Sequence, residues 1–207
     1  MARTPLATFF NIPTLDEGNM KQTWVTEEKV LAVLKTKVGE TLRIDENSIN
    51  PEHSLIKELG TESLDFLDIN YQLERSFGIK MPRRMILEHV EEMFGEGSAV
   101  DEDSRLTAQG AALLKIRFGD THSELKPGMD FEQIPTLVTI RLLAEGVLEI
   151  LDTLPNTCSP CGQSAWVCED GSHIKCGQCG EKATFTNGDQ VIKQWLQQIH
   201  DEHHIFS

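Results

Sequence analysis

Residues 60–70 read Gly60-Thr61-Glu62-Ser63-Leu64-Asp65-Phe66-Leu67-Asp68-Ile69-Asn70. Gly60 and Thr61 introduce a helix, and Leu64, Leu67 and Tyr71 with Phe66, Ile69, Leu73 and Phe77 give it a broad apolar face. Asp65, Asp68, Gln72 and Arg75 line the opposite side. Gly78 is a natural stop, and Pro82 bars continuation. Ser63 places one hydroxyl in the first turn, where unpaired backbone N–H groups and a partial positive charge suit a phosphodiester on that oxygen. Glu62, Leu64, Asp65 and Asp68 are the candidate recognition residues, with Glu62, Asp65 and Asp68 forming an acidic collar that fixes register and speeds encounter with an enzyme. The plainer readings are a helix N-cap for Ser63 and a solvated face for Asp65 and Asp68. Ser63 has no nearby His in sequence and no G-x-S-x-G elbow, so the local signature of a serine hydrolase is missing.

Upstream, Thr26 suits an N-cap, Glu27 and Glu28 suit the positive helix end, and Val25 and Val30 are spaced as a hydrophobic staple. The pattern predicts a helix to about Val38, closed by Gly39, with Val30, Leu31, Leu34 and Val38 inward. A turn-rich connection through Asp45, Asn47, Asn50 and Pro51 follows, pinned by Leu55, Ile56 and Leu59. Downstream, helices are predicted over Met85–Phe94 and Leu106–Phe118, with an exposed acidic loop at Gly95–Ser104 between them. A mostly buried helix is predicted from Pro135 to Leu151, its wet stripe marked by Arg141, Glu145 and Glu149.

Gly60-Thr61-Glu62-Ser63-Leu64-Asp65, the helix that follows, Phe77-Gly78-Ile79 with Met81-Pro82, and the anchored Asp45–Leu59 loop together resemble the acyl carrier proteins, including the peptidyl carriers. The resemblance spans roughly residues 26–82 and resumes with the helix ending at Leu151. It implies a four-helix bundle in which Ser63 carries covalent 4′-phosphopantetheine, whose terminal thiol holds acyl groups as thioesters. It also implies a phosphopantetheinyl transferase and acyl-loading or acyl-processing enzymes as partners. Fatty acids, polyketides, peptides and lipid precursors are all made on such carriers. Two features depart from the family pattern: Glu62 stands where Asp is usual, and Arg83 and Arg84 follow Pro82 where most carriers are acidic. They open an insert over about residues 83–133, which caps the bundle, widens an acyl pocket or forms a docking surface.

All five cysteines fall between Cys158 and Cys179, a clustering that favours metal over disulfides. Cys158-Ser-Pro-Cys161-Gly and Cys176-Gly-Gln-Cys179-Gly are two C-x-x-C-G knuckles with residues 162–175 between them, close to the spacing of a four-cysteine zinc site. Four thiolates close a tetrahedral shell, suited to one structural Zn²⁺ with no open position for water chemistry. The intervening residues read as a hairpin turning at Asp170-Gly171, and the whole resembles a zinc ribbon. A redox dithiol pair is the alternative, and it lacks its βαβ context. Cys168 and His173 read as buried strand residues rather than ligands. His200, His203 and His204 read as a solvated helix end.

The chain of 207 residues carries 19 Lys and Arg against 33 Asp and Glu, a net charge of −14. Such a surface repels phosphate backbones. The ribbon segment shows the same bias, with Asp152, Glu169, Asp170, Glu181, Asp189, Asp201 and Glu202 against Lys175, Lys182 and Lys193, so nucleic acid is not expected as a partner. No run approaches the ~20 apolar residues of a membrane span, and Pro5, Asn11 and Pro13 interrupt any secretory signal. The expected address is the cytoplasm.

The expected fold is mainly α: an acyl-carrier-like four-helix bundle with extra inserted helices, a small β zinc ribbon and a C-terminal helix carrying Val191, Ile192, Trp195, Leu196 and Ile199 on one face. The expected division is a tail at 1–24, the helical domain at 25–153, and the ribbon with its helix at 154–207. The protein is expected to be a substrate for enzymes rather than an enzyme, with the ribbon docking a partner or adding stability. A cofactor-free scaffold of the same fold is the alternative, and a nucleic-acid adaptor working through the ribbon is a weaker one.

Overall fold

A computed structural model describes residues 21–119 and 122–206. Most of the expected tail lies outside the described residues. Gln22, within them, is buried and exchanges two hydrogen bonds with the backbone of Val25, at 2.8 and 3.1 Å.

Helix α1 spans Glu27–Leu42, capped by Thr26, whose hydroxyl accepts the Lys29 N–H at 3.3 Å. It runs a turn past Gly39, because the Ile44 N–H returns to the Gly39 carbonyl at 3.1 Å and Arg43 takes the left-handed cap conformation. Helix α2 spans Ser63–Phe77 and ends at Gly78, whose φ of 69° needs the missing Cβ. Helices α3 (Ile86–Phe94) and α4 (Ala108–Phe118) follow, then a 3₁₀ segment at Phe131–Leu137 and helix α5 at Ile140–Leu151. The helix expected from Pro135 thus starts later. Thr139 caps it by accepting the Leu142 N–H at 3.1 Å, and the chain just before it is extended and paired with the α1–α2 loop. Leu55 N–H donates to Val138 O at 3.0 Å, Ile140 N–H to His53 O at 3.1 Å, and Arg141 N–H to Pro51 O at 2.8 Å.

Helix α1 packs against both α2 and α5, burying Val30, Leu34 and Val38 against Ile69, Leu73 and Phe77 and against Ile140, Ala144, Val147 and Leu151. The broad apolar face expected of α2 divides in two. Ile69, Leu73 and Phe77 are buried, whereas Leu64, Leu67 and Tyr71 are 78, 57 and 54% exposed and Phe66 is at the exposed margin. An apolar arc so wide exceeds what its neighbours cover. Ile56, expected as a loop anchor, is also exposed, while Leu55 is buried.

The insert builds a second core: Leu87 and Val90 of α3, Leu113 and Leu114 of α4, Leu106 and Ile134, closed by Trp195, Leu196 and Ile199. These last belong to helix α6, Gly188–His203. The Gly95–Ser104 loop is exposed, as expected, at residues 95–97 and 101–104, and turns inward between them. Ala99 is fully buried, and the Glu91 carboxylate accepts N–H bonds from Gly97, Ala99 and Val100. A Cβ on Gly110 would collide with the Ala99 carbonyl, so this loop lies directly on α4. Asp189, at the start of α6, accepts from the Arg83 N–H at 3.1 Å and the Arg84 N–H at 3.2 Å and lies 3.0 Å from His89 Nε2. Glu149, expected in the wet stripe, pairs instead with Arg117, which lies over Trp195. Burial alone would lower the Arg117 pKa, but the Glu149 carboxylate raises it.

Strands β1 (Trp166–Val167) and β2 (Lys175–Cys176) form an antiparallel pair, Trp166 opposite Cys176. Cys158, Trp166, Ile174, Cys176 and Ala183 belong to the same core as α1, α2 and α5.

Candidate functional site

Ser63 is the first residue of α2 and is exposed. The N-cap position belongs to Glu62, whose backbone N–H donates to Asp65 Oδ2 at 2.9 Å. The plain cap reading therefore fits Glu62 rather than Ser63, whose hydroxyl has no hydrogen-bond partner among the described residues. The chain is aimed into this turn by Thr61, buried, with its N–H on the Leu55 carbonyl at 2.8 Å. Of the recognition candidates, Glu62, Leu64 and Asp68 are exposed and Asp65 is half-buried. Asp68 accepts from Thr41 Oγ1 at 2.9 Å and Gln72 Nε2 at 2.6 Å, which ties the collar to α1.

The sulfur atoms of Cys158, Cys161, Cys176 and Cys179 all lie within 4.8 Å of one another, with Cys158–Cys179 and Cys161–Cys176 each at 3.6 Å. A tetrahedron with Zn–S bonds of about 2.3 Å has edges of about 3.8 Å, so the four sulfurs fit zinc. Burial pushes the Cys158 thiol up to about 12, while the Cys179 backbone N–H holds Cys176 down to about 7.

Cys168 stands outside this cluster, half-buried after β1, with its sulfur 3.8 Å from Asp170 Oδ1. The reading of Cys168 and His173 as buried strand residues does not hold, since both lie outside β1 and β2 and neither is buried. The His173 side chain is almost half exposed, with Nδ1 2.8 Å from Asp170 Oδ2 and Nε2 donating to the Arg75 carbonyl of α2 at 3.1 Å. It braces the ribbon against the end of α2. N–H bonds from His173 and Ser172 hold the Asp170 carboxyl well below the usual carboxylate range.

A cavity of about 260 Å³ lies between α2, α5, the insert and α6. Its wall includes Phe66 and Asn70 of α2, Leu143 of α5, Met85 and Phe118 of the insert, and Val191 of α6. Asn70 escaped the sequence reading. Its signal is an amide seven residues after Ser63, between the buried Ile69 and Leu73.

A family model described as the phosphopantetheine attachment site matches residues 32–91. The acyl carrier protein AcpXL of Brucella melitensis biotype 1 is 44% identical over 55 residues, 27% of this chain and 59% of that protein. The acyl carrier protein of Thermotoga maritima is 34% identical over 56 residues, 27% of this chain and 69% of that protein. That of Helicobacter pylori strain G27 is 32% identical over 71 residues, 33% of this chain and 86% of that protein. The chain spans about three fifths of the length of the AcpXL proteins it matches. No solved structure matches it. The exposed serine on the first turn of α2, the bundle around it and these likenesses agree: the chain belongs to the acyl carrier protein family.

Proposed function

We propose that this chain is an acyl carrier whose Ser63 hydroxyl is esterified by 4′-phosphopantetheine, the terminal thiol then holding acyl groups as thioesters. The observation that carries the reading is the exposed hydroxyl on the first turn of α2, without a partner among the described residues. The backbone N–H groups and positive end of that helix favour the negative charge on the phosphodiester oxygens. The protein serves as a substrate and does no catalysis of its own at this site.

Leu64, Leu67 and Tyr71 form an exposed apolar strip beside Glu62 and Asp68. That pattern suits a partner with an apolar pocket rimmed by basic side chains, as a phosphopantetheinyl transferase and acyl-processing enzymes would present. Cys158, Cys161, Cys176 and Cys179 hold one structural zinc. Because the ribbon shares the core of the bundle, its first task is to brace the carrier, and partner docking is its second. The helical unit at 25–153 and the ribbon unit at 154–207 work as one body. Among the described residues no helix is long and apolar enough to cross a membrane.

The test is transfer of a fluorescent pantetheine from a coenzyme A derivative by a broad-specificity transferase. Wild type and Glu62→Asp should take up label, and Ser63→Ala should take up none. Absence of label on both wild type and Glu62→Asp would leave the scaffold reading in its place.

A further inference from the structure

The cavity begins one turn beyond Ser63. Ser63, Phe66 and Asn70 stand at i, i+3 and i+7 on one face of α2, and both Phe66 and Asn70 line the cavity wall. Seven residues advance about 10 Å along a helix axis. A phosphopantetheine arm, comparable to an extended chain of about five residues, reaches roughly 17 Å at most. The arm is therefore long enough to bring its own amides or its acyl chain to Asn70.

Asn70 is 5% exposed, and its buried Oδ1 has no hydrogen-bond partner. Among the described residues it is the one buried side-chain polar atom of the cavity wall without a hydrogen-bond partner. Leaving an amide oxygen so placed is unfavourable, and an apolar side chain of similar shape would remove the penalty. The charged side chains of the wall are all paired: Arg83 with Glu74, Arg84 with Glu88 and Glu92, and Arg117 with Glu149. The wall therefore asks for a neutral polar group within an otherwise apolar cargo.

We infer that Asn70 is a specificity-determining residue that hydrogen-bonds a neutral polar group, hydroxyl or amide, carried into this cavity by the pantetheine arm or its acyl chain. The inference rests on the carrier reading at Ser63. A hydroxyl donates and accepts, so it satisfies the Asn70 amide in either orientation. An amide N–H of the arm satisfies its oxygen.

The full chain and its Asn70→Leu variant are loaded at Ser63 with the free-thiol arm, a saturated acyl arm and a 3-hydroxyacyl arm of the same length, each checked by intact mass. Two readouts follow: the side-chain amide resonances of Asn70, and the rate of thioester cleavage by hydroxylamine relative to the same acyl-pantetheine in solution. If the acyl hydroxyl is the partner, the resonances shift only in the hydroxyacyl form. Its thioester is then cleaved roughly three- to tenfold more slowly than the saturated one, the effect of one neutral hydrogen bond, and Asn70→Leu abolishes the difference. If the arm amide is the partner, the resonances shift already in the free-thiol form, and both acyl thioesters lose protection equally in the variant. Unshifted resonances in all loaded forms, with equal rates in both proteins, overturn the inference and leave the carrier reading standing. Failure of Ser63 to load overturns both.

Discussion

Chelating the metal proposed at Cys158, Cys161, Cys176 and Cys179 is expected to lower the melting temperature of the helices as well as to unfold the ribbon. Cys158 and Cys176 are fully buried, and Trp166 and Ile174 join them in the core shared by α1, α2 and α5. A segment this small holds its shape through its metal, so metal loss withdraws these side chains together. Withdrawing Trp166 and Ile174 alone costs about 3–6 kcal/mol, at roughly 1.5–3 kcal/mol for each large apolar side chain. That is a large part of the roughly 5–15 kcal/mol that holds a typical domain folded. At about 2–4 °C per kcal/mol for a chain of this size, the melt should fall by roughly 6–24 °C. Far-UV circular dichroism reads this loss well, since the helices lie outside the ribbon strands. Zinc in the chelator eluate should be one equivalent per chain, and adding it back should restore the melt. An unchanged helical melt after complete zinc release would refute the shared-core reasoning.

Leu64→Ala should leave stability within about 0.5 kcal/mol, since an exposed side chain supports little. It should slow pantetheine transfer roughly tenfold in a transferase assay, as the loss of one interface anchor does. Gly110→Ala should destabilise by about 1–3 kcal/mol in a urea melt, because its methyl would collide with the Ala99 carbonyl and displace the loop from α4. Asp170 has a depressed pKa from the N–H bonds of His173 and Ser172. Its contribution is therefore present above its unfolded pKa of about 3.9 and is lost as pH falls below that value. The stability difference between wild type and Asp170→Asn in denaturant melts should be full above about pH 4 and close at lower pH.

Much of this molecule is legible in its sequence where the constraint is local. The Thr26 cap, the Gly78 stop, the serine on the first turn of α2 and the two knuckles are each set by a few neighbouring residues, and the structure places them accordingly. The misread features depend on what a residue meets across the fold. Leu67 and Tyr71 have the apolar character of core residues, yet among the described residues no element covers their side of α2. Glu149 has the spacing of a solvated stripe, but Arg117 arrives from another helix to pair with it. The start of α5 is moved by strand-like pairing of Val138 with Leu55, a partner far away in sequence. The insert has no motif. Its meaning comes from α6, which packs on it from beyond the ribbon, and from the cavity that this packing leaves above Asn70.

The most direct test of the carrier reading is the intact mass of the denatured protein after incubation with a phosphopantetheinyl transferase and coenzyme A, beside the Ser63→Ala variant. One phosphopantetheine on the wild type and none on the variant is the predicted result. An unmodified wild type, under conditions in which the same enzyme modifies another acyl carrier protein to completion, would contradict it.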